Sequence, residues 1–136
     1  MNQIFLFDTV KVRDIMIPIG RVAAIDLNSN VADATRLIEE TGFSRFPIYD
    51  TKKNQIKGIV HAFYLLGRPS NELVSNFVDD CFFVEENYLA SRLLDELKES
   101  KSSLAIVGTS KNAVGIVTIE DILEEVLGEI EDEHDI

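Results

Sequence analysis

The sequence predicts an α/β (α+β) fold in which one β-α-β-β-α unit occurs twice in tandem. Three observations carry that prediction. The chain resembles itself: "SRFPIYD" at 44–50 stands opposite "SSLAIVG" at 102–108, and "GIVHAFYLL" at 58–66 opposite "GIVTIEDIL" at 115–123. Such internal similarity marks a repeated supersecondary unit. Within each copy, apolar runs of strand length alternate with segments whose apolar residues return every three or four positions, the helical spacing. Finally, 46% of the 136 residues are hydrophobic and 27% are charged, the balance of a globular chain rather than a disordered one.

Each element follows in order. Val22–Ile25 reads as the first strand. Ser29 or Asn30 caps a helix with Val31, Ala34, Leu37 and Ile38 on one face and Gly42 after its end. Residues 46–50 and 56–60 form a hairpin around the polar "TKKN", and a short helix over 61–66 is stopped by Gly67 and Pro69. The second copy repeats this with a strand at Phe82–Val84 and a helix carrying Leu89, Leu93, Leu94 and Leu97. A hairpin of 104–108 with 113–117 around "TSKN" and a last helix over 118–130 complete it. The two matched segments are offset by 58 and 57 residues, a difference assigned to the connecting turns, where deletions are tolerated. Residues 1–11 are then a lead-in, 12–69 a first module and 70–136 a second module with an acidic C-terminal helix. A unit of about 55 residues has a thin core of its own, so the two are expected to pack together.

Charge is concentrated at one end. Glu120 to Asp135 hold nine carboxylates and no Lys or Arg, which accounts for most of the net charge of −11. On that helix Ile119, Ile122, Leu123, Val126, Leu127 and Ile130 make a continuous apolar stripe, and the acids take the other face. Gly128 interrupts it at about 1 kcal/mol relative to Ala, either for close packing or at a fraying end. This acidity argues against a polyanionic partner such as nucleic acid, but not against one nucleotide at a local positive site. The acids also lack the ordered spacing of a calcium loop, so they read as a solvated face rather than a metal site.

Other classes find little support. Runs such as "IFLF" at 4–7 and "LAIV" at 104–107 fall far short of the about 20 residues that cross a bilayer. Residues 1–10 lack the basic start and long apolar stretch of a signal peptide. The single cysteine, Cys81, reads as a buried structural thiol, and no Cys/His cluster suggests zinc. Neither His61 nor His134 lies near a Ser or Cys nucleophile in a recognisable motif, so no catalytic residue is assigned and no enzyme is expected.

The most informative short pattern is Thr118-x-x-Asp121 at the start of the last helix. It has two readings. A Thr N-cap with an acid three residues on is a capping box that needs no ligand. Alternatively, the N–H groups and positive dipole end of a helix start suit a phosphate, while a carboxylate accepts from two vicinal hydroxyls.

A β-α-β-β-α tandem ending in "GIVTIEDIL" resembles a pair of CBS modules. The stretches "VRDIMIP" (12–18), "GFSRFPIYD" (42–50), "GIVH" (58–61), "LAIV" (104–107) and "GIVTIEDILEEVLGEIEDEHD" (115–135) bring it nearest to the CBS pair of the CorC/HlyC-type and cyclin-M (CNNM) families. These are magnesium and cobalt transport-associated, haemolysin-related membrane proteins. The resemblance implies a non-enzymatic regulatory pair on the cytoplasmic face of the membrane, attached to a membrane domain, and forming a homodimer. It also implies an adenine nucleotide, foremost ATP with Mg²⁺ carried on its phosphates, in a cleft between the modules. By that resemblance Asp121 takes the ribose hydroxyls, Thr118 contacts phosphate, Phe43 lies against the nucleotide and Arg45 reaches the phosphates. An Arg fork suits phosphate oxygens. On residues alone, Phe43 as core filler and Arg45 as a surface ion-pair partner remain open.

Two departures stand out. Where the family has the Thr of "MTP", this chain has Ile17, which loses a hydroxyl but keeps apolar contact with adenine. In the first repeat His61 and Tyr64 replace the Thr and Asp, so that equivalent site is expected to be dead, with His61 as a helix-start or packing residue rather than a ligand. These departures keep a second hypothesis in view, a structural dimerisation module whose nucleotide site has decayed.

Overall fold

Residues 9–134 are described in a computed structural model of the chain, with side chains described through residue 128. The "IFLF" run and the side chains from Glu129 onward, including Ile130 and His134, lie outside the described residues. Among the described residues the elements are α1 (Val12–Ile15), β1 (Ile17–Pro18), β2 (Ile25–Asp26), α2 (Val31–Thr41), β3 (Arg45–Asp50), β4 (Gln55–His61), β5 (Phe82–Val84), α3 (Ala90–Ser100), β6 (Leu104–Gly108), β7 (Ala113–Thr118) and α4 (Ile119–His134). The α+β fold expected from the repeat is the one observed.

The chain divides into two compact units. The middle unit holds residues 23–81 with 110–112, and the terminal unit holds 9–22, 82–109 and 113–134.

In the middle unit β2 runs parallel to β3, and β3 pairs antiparallel with β4. Helix α2 is capped by Asn30, whose side chain accepts from the Asp33 amide at 2.9 Å. It ends at Gly42, whose φ of +72° gives the left-handed C-cap that glycine adopts without cost. Strand alternation sends Phe46 and Ile48 into a core with Val31, Ala34, Val60, Leu65 and Val74. Asp50 is buried, and its carboxylate accepts from the amides of Lys52 and Lys53, fixing the hairpin turn.

The terminal unit has a four-stranded sheet in the order β1-β7-β6-β5. Helices α3 and α4 pack on one face, where Leu93, Leu97 and Ile122 meet Ala105, Val107 and Val117 in a fully buried core. Val12 of α1 belongs to the same core. Val10, Ile15 and Met16 pack around it.

Four expectations change. The first strand is only Ile25–Asp26, because Ile19–Arg21 turn as a 3-10 helix and Ala23 and Ala24 have little β preference. Residues 61–66 form a 3-10 turn, Ala62–Leu65, rather than an α-helix. Fewer than two turns cannot repay helix nucleation, and Gly67 at φ +74° ends the segment. The one-residue offset between the copies lies past the turns, between Asn54 and Gly58 on β4. Both turns, 51–54 and 109–112, have four residues. Cys81 is a free, half-buried thiol rather than a fully buried one. Burial and the neighbouring Asp80 push its pKa up to about 11, which keeps it protonated at neutral pH.

The repeat explains two glycines. Gly58 and Gly115 occupy the same place in the two copies of "GIV". A Cβ on Gly58 would sit 2.2 Å from the Asp79 carbonyl oxygen, and one on Gly115 would sit 2.6 Å from the Ile17 carbonyl oxygen. Each glycine therefore admits the chain segment that leads into the other repeat. Asp79 bridges Ile59 with N–H···O bonds of 2.8 and 3.0 Å, and Ile17 pairs with Ile116.

Candidate functional site

In the terminal unit the site is built where β7 runs into α4. Strand β7 is set by antiparallel pairing with β6, which brings Thr118 opposite Leu104, and the Ile119 amide donates to the Ser103 carbonyl at 3.0 Å. The helix thus starts immediately after Thr118. The Thr118 hydroxyl accepts from the Asp121 amide at 3.1 Å, and the Asp121 carboxylate accepts from the Thr118 amide at 3.4 Å. This is a reciprocal capping box, so the ligand-free reading of Thr-x-x-Asp is realised in the fold. It is an unequal one. The 3.4 Å bond lies beyond the ordinary range, so the half-buried carboxylate gives up little by turning to other donors.

Ile17 lies beside this motif. It is paired directly with Ile116, two residues before Thr118, so by the strand pleat Ile17, Ile116 and Thr118 share one face of the sheet. Val117, between them, points to the opposite, helix-covered face. The terminal unit therefore brings together three of the five expected residues: an apolar side chain, a hydroxyl and a carboxylate at the positive end of a 16-residue helix.

Phe43 and Arg45 belong to the middle unit. Phe43 follows the left-handed cap at Gly42 and is 54% exposed, so it does not fill the core; Phe46 does, with no exposure. The two rings lie 6.3 Å apart at 49°. Arg45 is half-buried at the start of β3, directly opposite His61.

His61 behaves as the helix-start residue expected of it. Its Nδ1 accepts from the Phe63 amide at 3.1 Å. Desolvation, and secondarily the Arg45 charge, lower its pKa, against an opposing effect of Asp79. Tyr64 stands edge-on to His61 with centroids 5.9 Å apart and is exposed. The equivalence of Ile59 with Ile116 puts Asp79 at the place that Ile17 holds in the other copy. The middle-unit counterpart thus carries His, Tyr and an acid where the terminal unit carries Thr, Asp and Ile. Asp79 has no local signal in the sequence, whereas Gly115 is marked by the repeated "GIV".

Among the described residues no group of three or more His, Cys, Asp or Glu is placed to hold a metal ion. No described helix is long and apolar enough to cross a membrane.

The family model described as CBS domain matches residues 12–70 and 74–128. The chain belongs to the CBS domain family. As a CBS pair it is similar to the magnesium and cobalt efflux protein CorC of Vibrio cholerae, with 36% identity over 93% of this chain and 45% of that protein. It is also similar to the UPF0053 protein YugS of Bacillus subtilis, with 33% identity over 99% of this chain and 32% of that protein. The chain therefore spans between 32 and 45% of the length of these relatives. Among solved structures, the CBS domain of the bacterial CNNM/CorC family Mg²⁺ transporter in complex with ATP matches with a TM-score of 0.86 and 32% identity, over 93% of both chains.

Proposed function

We propose that this CBS pair is a regulatory module that binds an adenine nucleotide, foremost ATP, and modulates an attached membrane domain of the Mg/Co efflux type. The observation that carries the reading is the Thr118–Asp121 pair at the start of α4 with Ile17 on the neighbouring strand. Asp121 accepts from the ribose hydroxyls, the helix start and the Thr118 hydroxyl favour phosphate, and Ile17 offers apolar contact to the base. That a similar CBS domain has been solved with ATP supports the same ligand here. Phe43 and Arg45 are further proposed contacts, the first an exposed aromatic ring and the second a guanidinium fork suited to phosphate oxygens. Mg²⁺ arrives on the phosphates. Binding favours one conformation of the module, and the parent protein reads that shift at the cytoplasmic face. The module is proposed to act as a homodimer without catalysing a reaction.

The test of the assignment is Asp121→Ala beside the native chain in calorimetric titration with ATP. Lost saturable binding with an unchanged circular dichroism spectrum supports the site, and native affinity overturns it.

A second reading is favoured by the capping box itself. Two donors at the helix start, the Ile119 and Asp121 amides, already have partners in the fold. A structural dimerisation module with a decayed site would keep that box for α4 alone. It predicts a dimer by light scattering and no thermal shift with any nucleotide.

A further inference from the structure

The segment that supplies Ile17 is held very unequally along its length. Its base is fixed. The Val12 amide donates to the Tyr88 carbonyl at 2.8 Å, the Arg13 amide to Glu86 at 3.1 Å, and the Ala90 amide to Val10 at 2.9 Å. The Val12 side chain is fully buried in the terminal-unit core. Its tip is held lightly. Strand β1 has two residues, one of them Pro18, which brings no N–H to the ladder, and it lies at the edge of the sheet. Beyond it Ile19–Arg21 form an exposed 3-10 turn. The tip seats on β7 only because position 115 is glycine: a Cβ there would meet the Ile17 carbonyl oxygen at 2.6 Å and the Met16 sulfur at 2.8 Å. The strand it seats on ends at Thr118.

We propose that residues 16–22 form a nucleotide-sensitive strap, whose seating on β7 and occupation of the Thr118–Asp121 site stabilise one another. The inference rests on the nucleotide reading above. A ligand that touches Ile17 and Thr118 together binds the seated strap more tightly than the lifted one, so it draws the marginal β1–β7 pairing toward the closed state. By linkage, anything that lifts the strap weakens the ligand by the same factor. Gly115 is then a positioning residue: it touches no ligand and acts through Ile17. Because residues 10–15 stay anchored, the movement is confined to the tip, and a pull on the chain at this point reaches the site through a single pair of strands.

The experiment is hydrogen exchange of the native chain, with and without saturating ATP and Mg²⁺, joined to calorimetric titration of Gly115→Ala. The strap predicts that amides within 16–22 exchange about tenfold more slowly with ATP, within the usual range of coupling. Amides in 10–15 change little. Gly115→Ala, with its dichroism spectrum intact, weakens ATP to a similar extent and exposes the same amides. Should native ATP binding leave residues 16–22 unchanged, or Gly115→Ala bind as tightly as the native chain, the strap is wrong while the nucleotide reading stands. If the native chain takes up no ATP at all, it is the nucleotide reading that fails, and the strap goes with it. Should Gly115→Ala not fold, exchange in the native chain alone decides.

Discussion

Thr118 and Asp121 cap each other, but the two bonds are unequal: the hydroxyl accepts at 3.1 Å and the carboxylate at 3.4 Å. The shorter one holds the start of α4, and the longer one leaves the carboxylate available. Thr118→Ala should therefore cost about 1 kcal/mol of stability, the usual worth of an N-cap. Asp121→Ala should cost less in urea unfolding and more in nucleotide affinity. A larger stability loss from Asp121→Ala than from Thr118→Ala would mean that the carboxylate serves the helix first.

Phe43 and Phe46 are three residues apart and have opposite roles. Phe46 is fully buried, so Phe46→Ala should lose about 3–5 kcal/mol. Phe43 is more than half exposed, so Phe43→Ala should lose less than about 1 kcal/mol, mostly its contact with Phe46. Its effect should fall on ATP affinity instead. Chemical denaturation and calorimetry of both variants separate the two roles, and a Phe43 variant weakened in neither would remove it from the site.

Two glycines at helix positions should respond in opposite directions to alanine. Gly42 has φ +72° and open space around it, so Gly42→Ala adds backbone strain of about 1 kcal/mol and no clash. Gly128 lies inside α4 with nothing within 4 Å of an added Cβ, so Gly128→Ala should stabilise by up to about 1 kcal/mol. Close packing at Gly128, one of the two expectations from sequence, is not what the described surroundings show. Paired melting curves check both signs.

His61 should make stability pH-dependent. Its folded pKa is lowered, first by desolvation and then by Arg45. The unfolded chain therefore binds this proton more readily. Stability falls as pH drops through the ordinary histidine value of 6.5, and the loss is complete below the lowered folded value. Arg45→Met should raise the His61 pKa in an NMR titration, and Asp79→Asn should lower it further. No response to Arg45→Met would contradict the cross-strand placement of the two residues.

Much of this was legible because it is local. The hairpin strands at 104–108 and 113–117 are apolar runs around a polar turn, and they form within a residue of expectation. Asn30 and Gly42 announce both ends of α2 through cap chemistry. Thr118 and Asp121 are three residues apart, so their capping geometry could be read directly. What escaped was non-local. Ile17 pairs with Ile116 across most of the chain, on a strand of two residues that carries no periodic signal. Its place in the site came only from family resemblance. Asp79 was missed for the same reason, since a single bridge to Ile59 leaves no pattern in the sequence.

Under the proposed function this CBS pair holds one adenine nucleotide per chain. Calorimetric titration of the purified chain with ATP, with and without Mg²⁺, tests it most directly. Saturable heat at one site per chain is the expected result. No heat and no thermal shift at millimolar ATP would contradict it, and would leave Thr118 and Asp121 as the cap of α4 alone.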